Sequence, residues 1–509
     1  MKPFSGKRAW TGAGLIGAVL GLAGCNLAPK YTRPAADVPA QYREATAPDG
    51  VVWSPARPHD QAPRGAWWEA YADPELNELE RQVRVSNETI KAAEANFRIA
   101  RAAALSARSA LWPTVSAAPS YTRSHASRTL ESASGSRPSA SAPGAVDDFS
   151  LPFDLSYELD LWGRVRNSAA ASGAAAQASA ADLATATLSL QAELAQDYFE
   201  IRALDAERSI FDDTVRSYRE SLQETQALYH SGIDSQEEVA RAETQLNTAV
   251  AQATDLGVAR AAYEHAIAVL VGKAPSQFRL AVAPLTARPP VTPAGLPSDL
   301  LLRRPDIAAA ERRVAAANAQ IGIARTAWFP RLTLGATGGW QSSSAAQWFE
   351  WPSRFWSVGP QLAAVLFDVG GRRAASEQAR AAFDAATANY RQAVLGAFEG
   401  VEDNLAAERI LDDEARQQRV AVQSSQQLLD LANTRFRLGI DSYLNVISAQ
   451  TTLLSNRQTE VQIQLRQMLA SIALVKSLGG GWNVSELPRI PLAPAVAAAS
   501  TGTPLNRQP

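Results

Sequence analysis

The sequence predicts a mainly α-helical chain with a smaller β part, built from two internal repeats of helix, strand, strand, long helix, helix. Self-similarity is the first reason. Asn87 to Glu94 is echoed by Arg304 to Glu311, and Leu111-Trp112-Pro113 by Trp328-Phe329-Pro330, at a shift of about 217 residues. The shift falls to about 208 where Leu159 to Arg164 matches Phe367 to Arg372, and to about 207 where Gly232-Ile233-Asp234 matches Gly439-Ile440-Asp441. The register slips mainly inside a Ser-rich stretch, where a surface loop tolerates extra residues. The second reason is a pair of very long helical stretches, and the third is a short alternating pattern that follows a proline in each copy.

Each copy opens with a helix. From Pro74 to Leu111 the chain is rich in Ala, Glu, Arg and Leu, which lose little side-chain entropy in a helix. Pro113 and Pro330 end the leading helices, because the residue before a proline is pushed out of the α region. Strands are expected at 113–122 and 150–161 in the first repeat and at 331–341 and 355–368 in the second. Leu155, Tyr157, Leu159 and Leu161 alternate with Asp154, Ser156, Glu158 and Asp160, and Leu332, Leu334 and Ala336 with Arg331, Thr333 and Gly335. The last strand, over Val358 to Phe367, alternates poorly.

A helix of about 67 residues follows in each copy, Arg164 to His230 and Arg372 to Leu438, roughly 100 Å long at 1.5 Å per residue. The returning helices, Ser235 to Val271 and Ser442 to Leu478, are about half that, so a leading and a returning helix stacked end to end match one long helix. In the last helix Ile447, Leu454, Val461, Met468 and Val475 recur every seven residues, a seam for a partner helix. The turns between them, 231–235 and 438–442, carry Gly232 and Gly439 to end one helix and Asp234 and Asp441 to cap the next.

Four strands per chain cannot close a barrel whose smallest common form has about eight, and an open sheet leaves bare edges. Either helices cover it or several chains pool their strands. The N-terminus chooses between the two. Lys2, Lys7 and Arg8 precede an apolar run from Ala13 to Ala23, too short to span a bilayer, which reads as a signal peptide over 1–24. It closes on Leu22-Ala23-Gly24-Cys25, a bacterial lipobox in which Cys25, the chain's single cysteine, becomes lipid-modified. Asn26 follows, compatible with delivery to the outer membrane. No other stretch reaches about 18 apolar residues, so an outer-membrane chain must span by strands, pooled between copies into a closed barrel with a polar interior.

These residues resemble the TolC-like outer-membrane efflux channels, in particular the lipid-anchored factors of the NodT and OprM type. The resemblance runs from the lipobox to about Trp482. It rests on Cys25 with Asn26 to Tyr31, on Tyr157 to Arg164, on Leu302 to Ile307, and on Phe367-Asp368 through Gly371-Arg372. It implies a homotrimer whose three copies of four strands make a 12-stranded transmembrane β-barrel, continued by a long α-helical barrel in the periplasm. It further implies a passive channel fed by an inner-membrane resistance-nodulation-division (RND) transporter through a periplasmic adaptor, set in outer-membrane lipid. On this plan residues 25–73 form an anchor and belt segment, 74–272 and 299–479 the repeats, 273–298 a belt connector and 480–509 a belt segment and tail. Ser124 to Ser141 and Trp340 to Trp356 fall at the cell surface, with Trp348, Trp351 and Trp356 near the membrane interface.

By the same resemblance the second hairpin carries the periplasmic constriction. Phe436, Asp441, Leu444, Asn445 and Ser448 line it, with Glu237 and Glu238 supplied by the first hairpin. Asn445 and Ser448 stand where many relatives carry Asp, so the expected gate is a leucine ring with Arg435 or Arg437 paired to the first hairpin. The expected adaptor-facing tips hold Gly232, Asp234, Gly439 and Asp441. Chemistry is otherwise sparse. The four histidines show no metal spacing, no catalytic or Walker motif occurs, and no cofactor is expected. The 49 basic and 51 acidic residues nearly balance, leaving no basic footprint for nucleic acid. A type I protein-secretion duct stays open as an alternative. A periplasmic adaptor lipoprotein, which should have one hairpin rather than two, fits less well.

Overall fold

The computed structural model describes residues 26–44, 65–125, 145–233, 235–290 and 299–489. Seven helices of 13 residues or more and a small antiparallel sheet dominate the described residues. Helices α1 (Pro74–Ser86), α2 (Glu88–Ser109), α3 (Arg164–His230) and α4 (Gln236–Leu270) belong to the first repeat. Helices α5 (Pro305–Thr326), α6 (Gly371–Arg437) and α7 (Tyr443–Ser477) belong to the second. Both α3 and α6 run unbroken for 67 residues, and α4 and α7 for 35. No helix is long and apolar enough to cross a membrane among the described residues.

The helices form four columns. Helix α3 packs along α2 and α4 on one side and along α5 and α7 on the other, and α6 packs along α5 and α7. Two columns are single long helices; the other two are stacks of a leading on a returning helix. Both stacks are joined by the same device. The Asn87 side chain caps α2 by accepting from Thr89 and Ile90 amides, and its Nδ2 donates to the Leu270 carbonyl, 2.8 Å away at the end of α4. At the equivalent place Arg304 donates from Nη1 to the Ser477 carbonyl of α7 at 2.8 Å and forks onto Asp306 at 3.0 and 2.6 Å. Each joint thereby satisfies a carbonyl that a helix end leaves orphaned. The expected continuous helix from Pro74 to Leu111 is therefore two helices, since a capping asparagine starts a new one at Asn87.

The sheet has strands β1 (Thr114–Ala117), β2 (Ser120–Ser124), β3 (Val146–Leu159), β4 (Arg331–Ser342) and β5 (Arg354–Ala363). β3 pairs with β1 and β2 on one side and β4 on the other, and β5 pairs with β4. β1 and β2 are two pieces of one strand, broken at Ala118-Pro119 opposite Leu151-Pro152, where two prolines remove ladder donors. The expected strand over 355–368 starts at Arg354 and ends at Ala363; the apolar run beyond it, Val365-Leu366-Phe367, is exposed and unpaired.

Strand passes to helix through one motif used twice. Asp160 accepts from the amides of Val165 and Arg166, and Asp368 from that of Arg372, so each aspartate caps a long helix. Gly163 (φ 82°) and Gly370 (φ 93°) make the turn in the left-handed region, which a side chain would disfavour. Arg166 and Arg372 return to the same aspartates at 3.2 and 2.7 Å, and Arg164 forks onto Glu158.

Irregular segments wrap the middle. Trp67, Trp68 and Tyr71 join the main core with Tyr198, Phe199, Met468 and Ile472, and Phe278, Leu280 and Leu285 of the connector bury there as well. Trp482, Val484 and Leu487 pack on Ala181, Ala308 and Ala309. Arg202 on α3 holds the connector, donating to the Ala281 carbonyl at 2.6 Å, while Asp205 accepts from the Ala283 amide at 3.0 Å.

Candidate functional site

Over its middle the sheet has one apolar and one polar face, as the pairing register shows. Val115, Phe153, Leu155, Leu159, Leu332, Leu334, Ala336, Val358 and Leu362 share the first. Thr114, Ser116, Asp154, Ser156, Thr333, Thr337, Ser357 and Gln361 share the second, where Thr337 donates to Asp154 at 2.6 Å. That is the alternation of a membrane wall with a wet interior. Aromatic residues gather at both ends. Trp348 stacks on Phe349 at 4.9 Å and reaches Phe149 at 5.7 Å, and the Arg354 guanidinium lies 3.7 Å from the Trp351 ring. At the helical end Trp162 stacks on Phe329 at 4.7 Å and donates to the Pro330 carbonyl at 2.9 Å, while Arg372 covers Trp328. β1 with β2 forms one open edge and β5 the other.

Along α3 a row of carboxylates lies away from the belt. At 100° per residue, Glu193, Asp197, Glu200 and Glu207 stand about 140–180° around the helix from Arg202, which holds the belt connector. Burial, with Glu193 and Glu200 nearby, pushes the Asp197 carboxyl up to about 6, and burial also raises Glu200 and Glu207. Gln462 of α7 donates to Glu207. On α6, burial brings Glu408 up to about 7. Their spacing by three, four and seven along α3 is the signal the sequence carries for this row.

At the far ends of the hairpins, Gly232 (φ 75°) and Gly439 (φ 69°) terminate α3 and α6. Arg435 pairs with Asp441 of its own turn at 2.6 Å rather than with the first hairpin, whereas Arg437 approaches Glu224 of α3 at 3.7 Å. Glu237 pairs with Arg241 on its own helix, and the Glu238 amide is capped by Ser235. Phe436 packs 5.4 Å from Tyr443 and is half-buried among Ala242, Ala432, Val446 and Ala449. Leu444, Asn445 and Ser448 occupy the exposed face of α7, opposite buried Tyr443, Val446 and Ala449. A groove of about 550 Å³ runs between the hairpins, lined by Tyr218, Glu237, Arg241, Gln245, Leu444 and Ile447. The structure thus brings Leu444 and Glu237 together, but not Arg435 and Glu237. Cys25 and Asp234 lie outside the described residues.

The N-terminal segment from Asn26 packs along α3, α5 and α6. Asn26 Oδ1 accepts from Asn167 Nδ2 at 2.9 Å in the first turn of α3, Pro29 accepts from Asn318 at 2.9 Å, and the Tyr31 hydroxyl donates to Glu311. Further along, the Glu402 carboxylate accepts from the amides of Arg43 and Glu44.

The outer membrane efflux protein family matches residues 79–273 and again 296–480, one match per repeat. The chain belongs to that family. It is 32% identical over 464 residues to a probable efflux pump outer membrane protein, TtgC, of Pseudomonas putida, covering 91% of this chain and 93% of the relative. The solvent efflux pump outer membrane protein SrpC of Pseudomonas putida is 33% identical over 478 residues, covering 92% and 98%. Among solved structures, the outer-membrane channel OprN superposes with a TM-score of 0.81 at 29% identity, covering 90% of this chain and all of that one. The present efflux protein is accordingly an outer-membrane channel component of an efflux system, mainly helical with a β-barrel part, reaching into the periplasm.

Proposed function

We propose that this efflux protein is a passive exit duct for small molecules, working as a homotrimer with a periplasmic adaptor and an inner-membrane RND transporter. The observation that carries the reading is a two-faced sheet with two open edges, continued directly by helices of 67 residues. Three copies would close the sheet into a 12-stranded barrel and the helical columns into a tunnel, with Glu193, Asp197 and Glu200 toward its interior. Small-molecule export is favoured over protein secretion by the pump names its relatives carry. No catalytic step is assigned to the chain. Cys25 would carry the acyl anchor.

The same reading puts a periplasmic gate at Leu444, Asn445 and Ser448, and the Arg435–Asp441 pair and the Arg437–Glu224 contact beside them would brace it. Such exposed pairs are each worth roughly 0–1 kcal/mol, but three symmetric sets act together. Wild-type protein in planar bilayers should conduct poorly, and Leu444→Ser with Arg435→Ala should raise conductance and sensitise cells to large antibiotics at unchanged trimer yield. Wild-type conductance in the double variant would place the gate elsewhere; no conductance in any variant would defeat the duct reading.

A further inference from the structure

One cavity holds a charge without a counter-charge. Between α2, α3, α5 and the N-terminal segment lies a space of about 560 Å³. Arg108, in the last turn of α2, lines it and is only 7% exposed, yet its Nε and Nη2 meet no acceptor among the described residues. A guanidinium keeps its charge at any accessible pH, so burying one without an anion is strongly unfavourable. Being one residue from the end of α2 does not explain it, since the buried nitrogens reach no terminal carbonyl. Arg312 and Lys30 line the same space, and no carboxylate is among its lining residues. Glu311, next to Arg312, already accepts from that arginine at 2.6 Å and from the Tyr31 hydroxyl. Asn167 and Asn318 add polar walls, and most of the remainder is alanine, which leaves room.

We propose that this cavity binds the phosphate of a glycerophospholipid headgroup from the periplasmic leaflet of the outer membrane. The class follows from charge: Arg108, Arg312 and Lys30 border a space with no lining carboxylate, and a phosphodiester presents several acceptor oxygens to such a set of cations. The source follows from depth, and rests on the sheet being the membrane wall. Arg108 lies one residue before the end of α2 at Ser109, and Pro113 leads into β1 at Thr114, so the cavity sits at the junction of helix and sheet. The headgroup layer on one side of a bilayer is itself roughly 5–8 Å thick, so the cavity lies at headgroup level.

The test uses the assembled full-length protein, wild type, Arg108→Gln and Arg108→Lys, with phosphatidylglycerol and inorganic phosphate as separate probes. Native mass spectrometry and thermal melting should show tight phosphatidylglycerol retention and a lipid-dependent rise in melting temperature for wild type. Both should weaken roughly tenfold or more in Arg108→Gln and be partly kept in Arg108→Lys. Equal lipid retention in Arg108→Gln would overturn the proposal, and so would inorganic phosphate alone reproducing the wild-type shift. Should Arg108→Gln fail to assemble, density in the wild-type cavity after reconstitution in lipid nanodiscs decides: a headgroup beside Arg108 supports the site, an empty cavity overturns it. Conductance of Arg108→Gln should equal wild type, so loss of the lipid effect with normal conductance cannot be confused with failure of the duct reading.

Discussion

Glu80 shows how far a single residue can depart from what its type suggests. It sits on the buried face of α1 with Leu76, Leu79 and Val83, is 0% exposed, and neither carboxylate oxygen has a partner among the described residues. Burial pushes its carboxyl up to about 9, so it is held neutral at pH 7. The folded state then binds a proton that the unfolded state, titrating near the ordinary value, releases; stability is greatest below that ordinary value and falls as pH rises toward 9. At pH 7 the cost is on the order of 3 kcal/mol at most. Glu80→Gln should therefore raise the melting temperature at pH 8, change it little at pH 4.5, and flatten the dependence between. A parallel shift at both pH values would mean the carboxyl is not what is costing stability. At the same scale the sequence was partly legible: Gly232, Gly439 and Asp441 announce turns through local chemistry alone. Arg435 was not legible, because acids at Asp441 and Glu237 were both candidate partners and only the folded turn selects Asp441. Arg108 was hidden for the opposite reason, an arginine near a helix end being unremarkable until the fold buries it.

Elements were legible where their signals are local and missed where they depend on a partner. Helices α3 and α6 lie within a residue of expectation, because helix propensity and the glycines at both ends need no tertiary information. The break at Asn87 was missed, since asparagine is merely neutral in a helix until its cap and its contact to α4 are seen together. The interrupted first strand needed Ala118-Pro119 to fall opposite Leu151-Pro152 of β3. Strand β5 looked irregular only because the run to Phe367 was counted into it; from Arg354 to Ala363, Trp356, Val358 and Leu362 alternate against Ser357, Gly359 and Gln361. The Asn87 joint can be weighed by substitution. Asn87→Ala removes a cap worth about 1 kcal/mol and leaves the Leu270 carbonyl without its donor, about 1–3 kcal/mol more. Asn87→Ser keeps a capping oxygen but cannot reach Leu270, so it should lose only the second part. Equal losses in the two variants, measured by chemical denaturation, would show that the cap contributes nothing and that the stack is held by the inter-helix contact.

For the whole molecule the deciding quantity is the unpaired backbone. A strand edge inside a bilayer leaves each amide and carbonyl unsatisfied at a cost of several kcal/mol, so β1 with β2 on one side and β5 on the other must find partners. Nothing within the described chain covers either edge. Beyond β5, Leu366 and Phe367 are 91% and 83% exposed, apolar surface that a neighbouring copy would cover. Closure by rotation pairs the β1 edge of one copy with the β5 edge of the next, a head-to-tail contact that ends in a ring. Cysteines at Ser116 in β1 and at Ser357, Gly359 or Gln361 in β5, all on the polar face, sample the register of that contact. Oxidation joins a pair only where Cα atoms come within about 4.4–6.8 Å. One of the three combinations should give a covalent ladder of one, two and three chains that stops at three, while single substitutions give none. A ladder running past three would mean a larger ring or an open filament, and no ladder in any combination would mean that the edges meet something other than each other.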